Sequence, residues 1–144
     1  MSTMRLVDRR MKALWLRWSV VLGLVLVCSC ESPTEPLPAG AIALDPPPIY
    51  RVWWTEVEAC SGITSDFDAI SWYYVPNTGV FPVGSDPNVD GYWQPYHHSI
   101  TLAGFNVNDA LLVRHEELHA ILHNVGHPTE YFVQKCGSIV ATPQ

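Results

Sequence analysis

Beyond residue 29 the sequence is almost without positive charge: Arg51, Arg114 and Lys135 are its only bases, set against thirteen acids. The other five of the eight Lys and Arg stand before that point, together with Asp8 alone of the fourteen acids. Neutralising a run of phosphates takes clustered Lys and Arg, so this scarcity excludes a nucleic-acid or anionic-membrane surface. Long apolar runs are missing too. The best of them, Ser19 to Val27, is too short to span a bilayer as a mature helix. Cysteine is scarce: past the first thirty residues only Cys60 and Cys136 remain. In an exported chain such a pair is most simply a disulfide, and the chain-entropy model values its long loop at roughly 4 kcal/mol. A thiolate nucleophile is the other reading, which an oxidising compartment disfavours.

The bases that the rest of the chain lacks are concentrated at its start. Arg5, Arg9, Arg10, Lys12 and Arg17 precede the uncharged "SVVLGLVLV", the charged and apolar parts of a secretory signal. "VCSC", Val27 to Cys30, follows and resembles the lipobox of bacterial lipoproteins, with small Ser29 directly before Cys30. That resemblance implies cleavage after residue 29, lipidation of Cys30 and a protein of the cell envelope held to a bacterial membrane. An ordinary signal would instead give a secreted protein. From Glu31 to Pro48 six prolines fall in eighteen residues with no apolar period, the composition of an extended tether. The chain therefore divides into a signal (1–29), a lipid-anchored proline-rich tether (30–48) and one domain (49–144), a size suited to a single core.

Within that domain, Ile49 to Gly62 reads as a helix with Tyr50, Trp53 or Trp54, Val57 and Cys60 on one side and Gly62 as its stop. "AISWYYVP" (Ala69 to Pro76) and "GVFPVG" (Gly79 to Gly84) flank a turn signal and predict a β-hairpin. Ser85 to Gly91 reads as a polar loop, and "HSITLA" (His98 to Ala103) as a strand. The last long element is a buried helix beginning after Phe105, with Asn106 or Asn108 as cap, Asp109 in its first turn and Gly126 as its stop. "TEYFVQKC" then predicts a short helix returning Cys136 to Cys60.

The buried helix carries His115-Glu116-Glu117-Leu118-His119, the pattern H-E-x-x-H. Residues i and i+4 stack on one helix face, so the two imidazoles converge on one ion, and Glu116 is placed to take a proton from water. Glu117 and Arg114 read as solvated helix residues. His123 extends the ladder but lies about 12 Å from His115 along the axis, too far to share the ion. His127 follows Gly126, and a chain that reverses there brings it back.

On His115, Glu116 and His119 the sequence resembles the zincin metallopeptidases. The resemblance implies a minimal α+β zincin-like domain: a small, mostly antiparallel sheet packed on the H-E-x-x-H helix, with another helix before it. It also implies a zinc ion, Glu116 as general base, a peptide or protein substrate, and endopeptidase action. An edge strand beside the helix would receive the substrate backbone, and "HSITLA" is the expected edge. The metzincin plan delivers a third histidine from a glycine turn, as His127 would be here. This chain departs from it at Leu122 and Val125, and it has no methionine past Met11. The gluzincin plan uses a later glutamate, and Glu130 is the only acid after the motif. His127 is the preferred third ligand. Tyr131 is a core tyrosine by default and an oxyanion contact otherwise. A non-catalytic, lipid-anchored domain with a structural zinc, acting in binding or metal capture, is the alternative from another class.

Overall fold

Two helices pack on one face of a four-stranded sheet, and a proline-rich segment covers the other. The structure is a computed structural model describing residues 35–141. The signal and Cys30 lie outside the described residues. Strands β1 (Ile42–Ala43), β2 (Ser71–Val75), β5 (Gly91–Gln94) and β6 (Ser99–Ala103) form the sheet in the order β1-β2-β6-β5. The β2/β6 pair is parallel and the β1/β2 and β5/β6 pairs are antiparallel. A separate antiparallel ribbon joins β3 (Phe81–Val83) to β4 (Asp86–Val89). The architecture is the mixed α+β arrangement that the sequence predicts, with the histidine helix packed on the sheet.

Helix α1 (Pro48–Ser61) starts on a proline, whose missing N–H costs nothing in a first turn, and stops at Gly62 in the left-handed region. It buries Tyr50, Trp54 and Val57. The Tyr50 ring meets Trp72 of β2 with centroids 4.8 Å apart. Trp72, Ile100, Leu102 and Trp93 supply the sheet's inner face by alternation along their strands. Helix α2 (Ala110–Leu122) is capped by Asp109 itself, whose carboxylate accepts from the Leu111 and Leu112 amides at 2.9 and 3.2 Å. Neither Asn106 nor Asn108 fills that role. The helix is buried on most of its cylinder, between the sheet, α1 and the C-terminal segment. Cys60 and Cys136 form the expected disulfide, tying α1 to a π-helical turn over Glu130–Lys135.

Several sequence expectations are corrected here. The predicted hairpin does not form: β2 takes β1 and β6 as neighbours, and β3 pairs with β4 inside what reads as a polar loop. β2 is aromatic enough to be an inner strand, and short-range turn chemistry does not decide between sheet partners. The "HSITLA" strand is β6, buried at every position and flanked on both sides, so the edge beside α2 is β5. The tether also ends earlier than Pro48. Tyr92 Oη donates to the Glu35 carboxylate at 3.1 Å, Gln94 Nε2 donates to the Pro36 carbonyl at 3.2 Å, and Pro38 is buried. Tyr92 and Gln94 alternate with the inward residues of β5, so this segment crosses the sheet's outer face. Prolines suit the task because they bring no amide that would need a ladder partner. Among the described residues no helix is long and apolar enough to cross a membrane.

Candidate metal centre

His115 and His119 project from the same face of α2, as their spacing requires, and both are buried. The helix ends at Leu122, earlier than Gly126. His123 takes the left-handed conformation (φ 48°) and closes the helix, with its amide bonded to the Ala120 carbonyl. Asn124 and Gly126 then complete the reversal, Gly126 N donating to Asn124 Oδ1 at 2.8 Å. The result is the turn-delivered histidine expected from the sequence, with the stop placed three residues sooner.

His127 Nε2 lies 3.0 Å from His115 Nε2 and 3.1 Å from His119 Nε2, and the latter two are 3.1 Å apart. Three nitrogens around one tetrahedral ion at about 2.0–2.1 Å are roughly 3.3 Å from each other, so this triangle nearly has the dimensions of a loaded site. Its chemistry suits a cation. His115 Nδ1 donates to the Ala141 carbonyl at 2.9 Å, and His119 Nδ1 to the Asn124 carbonyl at 2.7 Å. Both rings therefore carry their proton on Nδ1 and present a bare lone pair at Nε2. Even if His127 donates from its own Nε2, one proton cannot satisfy three converging contacts. Burial lowers all three imidazole pKa values, that of His119 to about 4, which keeps the rings neutral and ready to ligate. Among the described residues this is the group of three histidines, cysteines or acids that can hold a metal ion.

Glu130 is not part of it. Its carboxylate faces solvent and pairs with Lys135 Nζ at 2.7 Å, so geometry decides for His127. The Tyr131 ring lies beneath Lys135 Nζ, 4.5 Å away, and does not line the cleft.

Glu116, 4 % exposed, points toward β5 in a cleft of about 260 Å³ lined by the triad, β5 and β4. Burial pushes its carboxyl up to about 8, the nearby Asp90 charge adds to this, and the Trp93 amide bonded to it works the other way. No protein-family model, no curated protein and no solved structure matches this chain. The site's residues therefore carry its interpretation alone.

Four contributors were not legible in the sequence. Gly91 is the first residue of β5, and a Cβ there would lie 2.8 Å from Glu116 Cγ and Oε1. Asp90-Gly91 reads as an ordinary turn until Glu116 is seen against it. Gly91→Ala is expected to push Glu116 aside and lower any Glu116-dependent rate by about 10²-fold, with metal stoichiometry kept. Rate assays beside metal analysis of that variant check this. Phe132 packs against all three rings at tilted or edge-on angles, with centroids 4.9, 4.7 and 4.8 Å from His115, His119 and His127, and closes the back of the site to water. The carbonyls of Ala141 and Asn124 orient two ligands, and no side-chain pattern announces a carbonyl.

Glu117 and Arg114 are corrected as well. Glu117 is fully buried on the α1 side of α2, and burial raises its carboxyl to about 9, so it sits there as the neutral acid. Arg114 reaches Glu56 of α1 at 2.6 Å, and its side chain is 15 % exposed.

Proposed function

We propose that this chain is a zinc-dependent peptidase, with Zn²⁺ held by His115, His119 and His127 and with Glu116 as its general base. The observation that carries the reading is the position of Glu116: next in sequence to a ligand, buried, and aimed into the cleft on the side that the triad leaves open. Three imidazoles and an open fourth position suit zinc and catalysis together. A structural zinc would call for a fourth protein ligand, and the open side faces a cleft instead.

Zinc bound there supplies Lewis-acid polarisation of a carbonyl and acidification of water. The remaining work falls to the chain. A cation bound beside Glu116 would favour its ionised form against the burial that raises its carboxyl, so that the carboxylate can take the proton of the attacking water and then deliver it to the departing amine nitrogen. Gly91 gives that carboxylate room beside β5. Phe132 excludes water from behind the imidazoles, and the two carbonyls keep Nε2 of His115 and His119 facing the cleft. Among the described residues β5 is an edge strand, along which an extended peptide backbone can lie with its carbonyl next to Glu116.

The test is metal dependence. Full-length protein should hydrolyse an unfolded protein substrate, lose that activity on exhaustive chelation, and regain it with one equivalent of zinc. Hydrolysis that survives zinc removal would sink the proposal. An export signal with a lipid anchor at Cys30 belongs to the same reading, and the Cys60–Cys136 disulfide is compatible with it. Intact-mass analysis of the membrane fraction checks the anchor.

A further inference from the structure

We propose that Asp90 selects the substrate: its carboxylate receives a lysine or arginine side chain of the peptide beside the bond that is cut. The proposal rests on the peptidase reading above, with an extended backbone along β5, and names the substrate class of that cleft.

The cleft has no positive side chain in its walls. Asp86 of β4, Asp90 and Glu116 line it, and no lysine or arginine does. The three bases of the described residues are engaged elsewhere, Arg51 with Asp68, Arg114 with Glu56 and Lys135 with Glu130. In so acidic a chain some acids would line any cleft, but Asp90 stands apart by its bonding. The carboxylates of Asp66, Asp86 and Asp109 each accept from a nearby backbone amide, and that of Glu58 accepts from the Ser65 amide. Among the described residues the Asp90 carboxylate has neither a base nor a hydrogen-bond donor. Asp45 shares that state but lies outside the cleft.

The position fits the role. Asp90 directly precedes Gly91, against which Glu116 packs, and its carbonyl accepts from the Ala103 amide at 2.8 Å, which fixes its backbone at the head of β5. Its side chain is half-buried, and its charge is felt at both Glu116 and His115. The lone pairs of His115 and His119, on side chains more than nine-tenths buried, mark the same space independently as a place for a ligand. The two charges of a zinc ion in the triad are matched by Glu116 and Asp90, and Asp86 leaves the cleft negative. A cationic side chain on a bound peptide completes the balance, whereas an acidic one meets two carboxylates. A partly exposed ion pair is worth up to about fivefold, so with the repulsion added lysine should be preferred over glutamate roughly tenfold.

Binding and cleavage test this separately. Fluorescence anisotropy on full-length Glu116→Gln protein compares two short peptides identical except for lysine or glutamate at one central position. The lysine peptide should bind roughly tenfold tighter, Asp90→Asn in that background should shrink the difference, and Asp90→Lys should reverse the order. In the cleavage arm, mass spectrometry maps the bonds that wild type cuts in an unfolded protein. Lysine and arginine should flank them more often than aspartate and glutamate, and Asp90→Lys should invert that bias. A merely structural aspartate could change rates but could not invert a charge preference. If nothing is cut while the binding preference and its reversal hold, the peptidase reading fails and the cleft is a binding site for basic peptides. Equal binding of the two peptides, no saturable binding of the lysine peptide up to about 1 mM, or a preference that Asp90→Lys leaves unchanged would overturn the role of Asp90.

Discussion

Glu116→Gln is expected to lower hydrolysis of an unfolded protein substrate by roughly 10²- to 10⁴-fold, the usual contribution of a positioned general base, while one equivalent of zinc stays bound. The substitution keeps the shape of the side chain and its clearance from Gly91. It keeps an oxygen for the Trp93 amide but removes the group that can hold a proton. Zinc content must be unchanged, because Glu116 contributes no atom to the triangle of His115, His119 and His127. Undiminished hydrolysis with zinc in place would remove Glu116 from the mechanism. A parallel fall in zinc content would mean that the glutamate matters to the metal, which the geometry does not support. Glu117→Gln makes a useful companion. Its carboxyl is buried on the α1 side of α2, away from the cleft, and already neutral, so the change should leave the rate near wild type.

The metal helix was legible because helix pitch is a local property. His115 and His119 share a face whatever surrounds them, and the same pitch keeps His123 from converging with them. The disulfide was legible because only two cysteines remained to pair. The sheet was not, since strand partners are chosen across long sequence distances. Nothing in "SWYYV" says that it will lie parallel to "SITLA" with β5 beyond it. The edge strand of the cleft was consequently assigned one strand too far inward. Glu117 was misplaced for a related reason. A glutamate on a helix is solvated by default, and only the arrival of α1 and Tyr50 on that face buries it. The proline-rich lead-in was read from composition as a tether. Composition cannot tell an extended chain in water from one laid across the back of a sheet.

His127→Ala should empty the zinc site proposed above. Removing even an outer hydrogen-bond partner of a metal ligand weakens binding 10–100-fold, so loss of a ligand should cost more than about 10²-fold. Zinc recovered with the protein after gel filtration should fall from one equivalent to near none. Glu130→Ala should retain one equivalent, because that carboxylate is engaged with Lys135 on the exposed side of the π-helical turn. The opposite pair of results would return the third ligand to Glu130. The comparison also probes how the site is assembled. His127 is the one ligand outside α2, held between a strained helix end at His123 and a turn that the Cys60–Cys136 disulfide anchors. Once the helix has formed, its pitch alone brings two ligands together, and the third arrives only when the C-terminal segment has docked. Metal affinity should accordingly track the docking of that segment. A Phe132→Ala variant, which leaves every ligand in place but removes the ring packed under all three, should bind zinc more weakly than wild type and more tightly than His127→Ala.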